Sequence, residues 1–299
     1  MQWPSAVLRV DGCGAMVGHD NLTRRSTKSN VEASRTVSRR VEGTVMALSD
    51  NLKGRVAVIT GASSGIGAAT ARQLAARGAA VGLIARRNDK LVAIADEITT
   101  HGGTAIAIAA DVTDATTIEE AATRVQRELG TTSILFNNAG IMLPAAFELK
   151  RTTEWKTQID LNTGGVVSTI GAFFDQLVEA AADGSPSDLI NTSSIAAQNI
   201  FPTFAVYAAT KAFVTHLSRH LRVELGPKGV RVGVLEPGLI ETPLYDHVTP
   251  DDVNEWLSDT KEAFQWLRDD DIAEIVTFMV SLPSHVNLQE VAVMPTGQV

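Results

Sequence analysis

Tyr207 and Lys211 stand four residues apart in a stretch that reads as helix, so their side chains share one face. A free phenol titrates near ~10. A nearby ammonium favours the phenolate, and moving the phenol toward neutrality requires a shift of about three units, or ~4 kcal/mol. A tyrosine tuned in this way gives a proton to a carbonyl oxygen or takes one from an alcohol. By itself the pair also fits an ordinary solvated helix face. A second constellation lies far upstream. Thr60-Gly61-Ala62-Ser63-Ser64-Gly65-Ile66-Gly67 follows a short apolar run and opens a helical stretch. Glycines there let the backbone turn tightly and approach a pyrophosphate. The helix start adds N–H donors and the positive end of its dipole.

The elements that must hold these residues alternate regularly. Val56–Thr60 is an apolar run, followed by a helical stretch from about Gly65 to Arg77 that Gly78 stops. Ala80–Ala85 is a second run. Asn88–Thr100 reads as a helix with Leu91, Ile94, Ala95 and Ile98 on one face. Thr104–Ala109 is a third strand and Ala115–Leu129 a third helix, capped by Asp114. Ser133–Phe136, Leu189–Thr192 and Val230–Leu235 are later strands. Apolar runs without alternation, separated by helices, indicate parallel strands buried on both faces. On a doubly wound sheet of that kind, ligands bind outside the carboxyl ends of the strands.

From about Lys53 to Val299 the chain resembles the common, single-domain subgroup of the short-chain dehydrogenase/reductase family. The resemblance is carried, in order, by Thr60–Gly67, Asp111-Val112-Thr113-Asp114, Asn137-Asn138-Ala139-Gly140, Asn162, Ser194, Tyr207-x-x-x-Lys211 and Pro237-Gly238. It implies an α/β, Rossmann-like, doubly wound seven-stranded parallel sheet, order 3-2-1-4-5-6-7, with helices on both faces. A nicotinamide cofactor is expected along the strand ends. Its cationic ring would join Lys211 in lowering the phenol of Tyr207, and Lys211 would also hold the nicotinamide ribose.

The resemblance implies further roles, residue by residue. Ser194, 13 residues before Tyr207, is the substrate-binding serine, placed to stabilise charge developing on a carbonyl oxygen. The adjacent Ser193 is its local rival. Asn162 is the asparagine that holds a water on the proton path to Lys211. It also stands where Gly164 and Gly165 weaken a helix. Asp111 binds adenine with Val112 beside the ring, while Asp114 fits capping better. Asn138-Ala139-Gly140 supports the cofactor and the sheet, with a structural role first. Gly61, Ser63, Ser64, Gly65, Ile66 and Gly67 face the cofactor, as do Pro237, Gly238, Ile240 and Thr242.

A lid is expected at about residues 243–269, with Leu244, Tyr245, Trp256, Leu257, Phe264 and Trp266 as its apolar content. It would cover a small or medium carbonyl compound, although packing on the core is the better reading for Trp256 and Trp266. No basic cluster marks a phosphate-bearing substrate. The tail, residues 283–299, is similar to bacterial enzymes that oxidise 3-hydroxy acids or serine, and to clavulanic-acid dehydrogenase. His285 within it reads as structural. Phe213, Leu217 and Leu221 repeat at the spacing of the catalytic pair and are expected to pack inward. Family members usually form homotetramers or homodimers through long helices, here Glu154–Ala182 and Tyr207–Leu225.

The second strand ends at Ala85, followed by Arg86 and Arg87. A dinucleotide fold that prefers NAD usually carries a carboxylate here for the ribose 2′-hydroxyl. Arginine instead pairs with a 2′-phosphate through charge-assisted bonds. NADP(H) is therefore favoured over NAD(H), with Arg86 the main determinant and Ser63 and Arg87 as helpers. The basic residue that NADP-preferring members often carry is replaced by Ser64.

Composition closes off other classes. The single cysteine, Cys13, excludes an internal disulfide framework or a multi-thiolate zinc site, and no metal is expected. The net charge of −8 argues against a nucleic-acid surface. No stretch reads as a membrane span. Residues 1–45 are different material, rich in Ser, Thr and Gly, with seven basic and four acidic residues. They read as a disordered arm or a mis-annotated start before Met46, with a transit-like arm the remaining alternative; a signal peptide does not fit, because Arg9 and Asp11 break the apolar run. Residues 46–299 form the dinucleotide-binding domain. The expectation is a cytoplasmic NADP(H)-dependent oxidoreductase that interconverts a small or medium alcohol and its ketone or aldehyde. The alternative is a catalytically quiet, dinucleotide-sensing protein on the same fold.

Overall fold

A computed structural model describes residues 52–298; the expectations for residues 1–45, including Cys13, lie outside them. Seven parallel strands form the sheet: β1 (Val56–Thr60), β2 (Ala80–Ala85), β3 (Thr104–Ala109), β4 (Ile134–Asn137), β5 (Ser187–Thr192), β6 (Val230–Pro237) and β9 (Glu290–Val293). Their order is β3-β2-β1-β4-β5-β6-β9. This is the expected doubly wound order. The last sheet strand is ninth in the chain because β7 (Ile240–Glu241) and β8 (Leu267–Arg268) pair separately.

Strands without alternation must be covered on both faces, and they are. On β1, Ala57 and Ile59 face one core and Val56 and Val58 the other. Helices α1 (Gly65–Ala76), α2 (Asn88–Thr100) and α8 (Asp269–Ser281) close the first, through Leu74, Leu91, Ile94 and Val276. Helices α3 (Ala115–Glu128), α5 (Val166–Ala181) and α6 (Ala205–Leu225) close the second, through Ile118, Phe173, Leu177 and Val214. Each such side chain contributes roughly 1.5–3 kcal/mol on burial. The α2 face is the expected one: Leu91, Ile94, Ala95 and Ile98 are its buried residues. Asp114 caps α3 by accepting from the Thr116 and Thr117 amides.

Two expectations are corrected. The helix expected over Glu154–Ala182 is α4 (Thr152–Ile159) and α5 joined by a π-helical turn at Asp160–Gly165. At Gly165 a Cβ would lie 2.7 Å from Val112 Cγ2, so a side chain is sterically barred there. On α6, Phe213 does not pack inward but is 42% exposed. The inward face is Tyr207, Thr210, Lys211, Val214, Thr215 and Ser218. Leu217 and Leu221 do pack against the core.

Polar contacts fill the turn before β4 and the start of β5. Gln176 accepts from both the amide and the hydroxyl of Thr132. Asp188 is buried between two guanidiniums, Arg55 at 2.7 Å and Arg231 at 2.8 Å. Among the described residues no helix is long and apolar enough to cross a membrane.

Candidate active site

A cleft of about 410 Å³ opens along the carboxyl ends of the strands. Its floor is the glycine turn. Gly61 and Gly65 take positive φ, +67° and +52°, which only glycine adopts without strain. A Cβ on Gly67 would lie 2.5 Å from the Gly61 carbonyl oxygen, so the helix could not close on the turn. Thr60 binds the turn to the next strand end: its hydroxyl accepts from the Asn138 and Ala139 amides, while Asn138 Nδ2 donates to the Thr60 carbonyl. The role of Asn138-Ala139-Gly140 in the sheet is thus visible in these bonds.

The start of α1 fits a pyrophosphate. Its N-cap, Ser64, makes no side-chain cap hydrogen bond, and no acidic residue stands in the first turn. The first amides therefore face the cleft with no carboxylate competing for them. Arg87 donates to the hydroxyls of Ser63 and Ser64, at 2.9 and 2.8 Å. Arg86 is largely exposed and lies 3.9 Å from the Asp111 carboxylate. Burial opposes the charge on Asp111, yet two hydrogen bonds from Thr113 and the Arg86 charge hold its carboxyl below the usual range. The donor set and the glycine cradle suit a dinucleotide. Among the described residues no group of three or more His, Cys, Asp or Glu could hold a metal ion.

The proton-handling residues converge at the ends of β5 and α6. Ser193 and Ser194 are separated by where they point. The Ser193 hydroxyl is buried and donates backward to the Lys211 carbonyl at 2.8 Å. The Ser194 oxygen accepts from the Ala196 amide at 3.1 Å, and its side chain stands beside the Tyr207 phenol. Lys211 Nζ donates to the Thr192 carbonyl at 2.9 Å and stands 5.7 Å from the centre of the Tyr207 ring.

Burial governs both titrating groups. It pushes the Tyr207 phenol above its usual range, against the hydrogen bond from Ser194. It lowers the Lys211 ammonium to about 8. The expected lowering of Tyr207 by Lys211 is therefore absent in the chain alone: the ammonium is aimed at a carbonyl, and loss of water outweighs it.

Asn162 lies behind the cleft wall in the π-helical turn, a feature frequent at functional sites. Its side chain exchanges two hydrogen bonds with the Ile141 backbone, both 2.9 Å, and donates to the Thr210 hydroxyl at 3.1 Å. Thr210 in turn donates to the Tyr207 carbonyl. Asn162 thus fixes the loop after β4 to the helix that bears Tyr207 and Lys211. Gly67 packs beneath the turn, and every other expected cofactor contact lines the cleft.

The lid segment holds a short helical turn at Pro243–His247 and helix α7 (Asp251–Ala263). Trp266 is buried, as expected, but Trp256 lines the cleft. His285 is exposed and outside it. Several cleft residues had no sequence reading, among them Met142, Phe201 and Phe204. Met142 carries no spacing signal. Phe201 and Phe204 fall between Ser194 and Tyr207, and Phe204 is three residues, one helical turn, before the latter. Gln298 also reaches the cleft and accepts from the Leu239 amide at 3.0 Å.

The short chain dehydrogenase family model matches residues 55–253. An uncharacterized oxidoreductase of Listeria monocytogenes is 34% identical over 249 residues, 83% of this chain and 98% of its own. A 3-ketoacyl-(acyl-carrier-protein) reductase from Brucella melitensis, solved with NADH, is 31% identical with a TM-score of 0.75 over 83% of this chain and 100% of its own. An alcohol dehydrogenase from the archaeon Thermococcus sibiricus, solved with 5-hydroxy-NADP, is 30% identical with a TM-score of 0.71 over 82% and 98%.

Proposed function

This chain belongs to the short-chain dehydrogenase family, and on that premise we propose that it is an NADP(H)-dependent oxidoreductase interconverting a small or medium alcohol and its ketone or aldehyde. The observation that carries the reading is the grouping of Ser194, Tyr207 and Lys211 on the wall of the cleft that the glycine turn floors.

The bound dinucleotide supplies the hydride. The amides at the start of α1 hold its pyrophosphate, and Arg86 and Arg87 take the 2′-phosphate. The lack of a carboxylate at Ala85 and the anchoring of Arg87 on Ser63 and Ser64 support that preference. Asp111 and Val112 border the adenine; Pro237, Gly238, Ile240 and Thr242 border the nicotinamide end. Ser194 donates to the carbonyl oxygen and stabilises its developing charge. Tyr207, held as a phenol by burial, gives its proton to that oxygen. Lys211 stabilises the phenolate left behind, and Asn162 positions the helix that carries both.

Exposed apolar residues on α4, α5 and α6, namely Ile159, Val167, Phe213 and Val223, support association into a homodimer or homotetramer through these helices.

Titration of tryptophan fluorescence with NADPH and with NADH tests the reading, with Trp256 as the reporter in the cleft. Tighter NADPH binding and NADPH-dependent reduction of a ketone are expected. Tighter NADH binding would overturn the cofactor assignment. Dinucleotide binding with no turnover of any carbonyl would favour the sensing role.

A further inference from the structure

The carbonyl end of the cleft is walled by rings. Phe201, Phe204 and Trp256 lie in mutual contact, with centroids 6.0, 6.1 and 6.2 Å apart. Phe204 also meets Tyr207 edge-on at 6.4 Å. All four line the cleft, and Met142 and Leu244 extend the apolar surface. The rings touch one another, so they make a continuous wall rather than a cage around an open centre.

The backbone that presents this wall is strained. Thr203, between Phe201 and Phe204, has φ of +69°. A β-branched residue there is a true outlier. Its carbonyl accepts from the Ala145 amide at 3.0 Å, which holds the segment in place.

Among the described residues, no arginine or lysine other than Lys211 lines this end of the cleft. The basic lining residues are Arg86, Arg87 and Lys211. The two arginines follow β2, three strands from β5, or about 14 Å at the usual strand spacing. Lys211 is committed to the Thr192 carbonyl. Asp246 lines the cleft beside His247, and Arg151, outside the lining, is held by the Thr249 hydroxyl at 2.8 Å and by Glu154. Lys261 is engaged by Glu241 at 3.3 Å and lies over the Trp266 ring.

Resting on the oxidoreductase reading above, we infer that the substrate is an uncharged, ring-bearing ketone or aldehyde whose ring lies on the Phe201–Phe204–Trp256 wall, and that carboxylate substrates are rejected. A carboxylate there would lose its water without gaining a counter-charge. The similarity of the tail to 3-hydroxy acid and serine oxidisers points the other way, and the wall decides against it.

The test uses three acetophenones whose para substituent is insulated from the carbonyl by a methylene: 4-ethylacetophenone, (4-acetylphenyl)acetate and (4-acetylbenzyl)trimethylammonium. With NADPH, kcat/KM for the neutral ketone should exceed both charged ones by at least about tenfold. Calorimetric titration of the NADPH-loaded Tyr207→Phe variant should give the same ranking in Kd without turnover. In Trp256→Ala the kcat/KM ratio of 4-ethylacetophenone to butanone should fall on the order of tenfold, and Trp256→Phe should restore most of it. Preference for the acetate or the ammonium ketone, or an unchanged ratio in Trp256→Ala, overturns the inference. NADPH binding without binding of 4-ethylacetophenone overturns it too, and leaves the oxidoreductase reading standing. Failure to bind any nicotinamide dinucleotide removes that reading as well.

Discussion

The Lys211 ammonium donates to the Thr192 carbonyl, 2.9 Å away, and not to the Tyr207 hydroxyl on its own helix face. The two side chains share a face, but the end of β5 brings the Thr192 carbonyl within reach of the ammonium. Lys211 is therefore tied to the sheet, while Tyr207 is left with Ser194. The phenol of the free protein stays protonated and the ammonium is weakened.

This weakening makes Lys211 a stability cost at neutral pH. The folded group titrates at about 8 and the unfolded one near 10.5. Between those values the unfolded chain binds more protons, so stability rises with pH. Below about 8 the full cost, on the order of 3 kcal/mol, is present. Urea unfolding of wild type and Lys211→Met at pH 7 and pH 9.5 should show the variant's relative advantage shrinking by about 2 kcal/mol at the higher pH. A pH-independent difference would show that Lys211 is not desolvated.

Tyr207→Phe removes only the proton donor. Turnover should be abolished while NADPH binding, followed by fluorescence, stays within about twofold, because no positioning bond of the glycine turn involves the hydroxyl. Near-wild-type rates would end its assignment as the acid.

Arg86→Ala should weaken NADPH by about 2–3 kcal/mol and leave NADH nearly unchanged, since a charge-assisted bond to the 2′-phosphate is lost. Arg87→Ala should weaken both, because it also releases Ser63 and Ser64 beside the pyrophosphate. Equal losses for both cofactors in Arg86→Ala would reduce that residue to a solvated loop position.

Far from the cleft, Asp188→Asn leaves Arg55 and Arg231 buried against a neutral amide. Breaking a buried ion pair from one side costs about 3–5 kcal/mol. Chemical denaturation should show that loss, whereas conversion of an exposed pair such as Arg72–Glu97 should cost under about 1 kcal/mol.

Strands β1 to β3 and helices α1 to α3 were legible from local pattern, and the strand order and the grouping of Gly61, Ser194, Tyr207 and Lys211 from the family resemblance. Parallel strands buried on both faces leave few topologies, and the motifs at Gly61, Asp111, Asn138, Ser194 and Gly238 sit at or just after strand ends. Three features were not legible. The outward turn of Phe213 depends on helical phase over 21 residues, where a small error rotates the face. The role of Asn162 as a brace depends on a π-helical turn that no residue type announces. The raised phenol of Tyr207 depends on how completely water is excluded, which is a sum over every neighbour.

Residue types and their order along the chain were sufficient to indicate the doubly wound sheet and to single out Ser194, Tyr207 and Lys211 as candidates, because periodicity, glycine turns and motif spacing act over a few residues at a time. Only tertiary structure decided which of Ser193 and Ser194 faces Tyr207, where the Lys211 ammonium points, and that Phe201, Phe204 and Trp256 meet across 52 residues of lid and loop. Those are questions of direction and desolvation, set by groups distant in sequence that packing brings within a few ångströms.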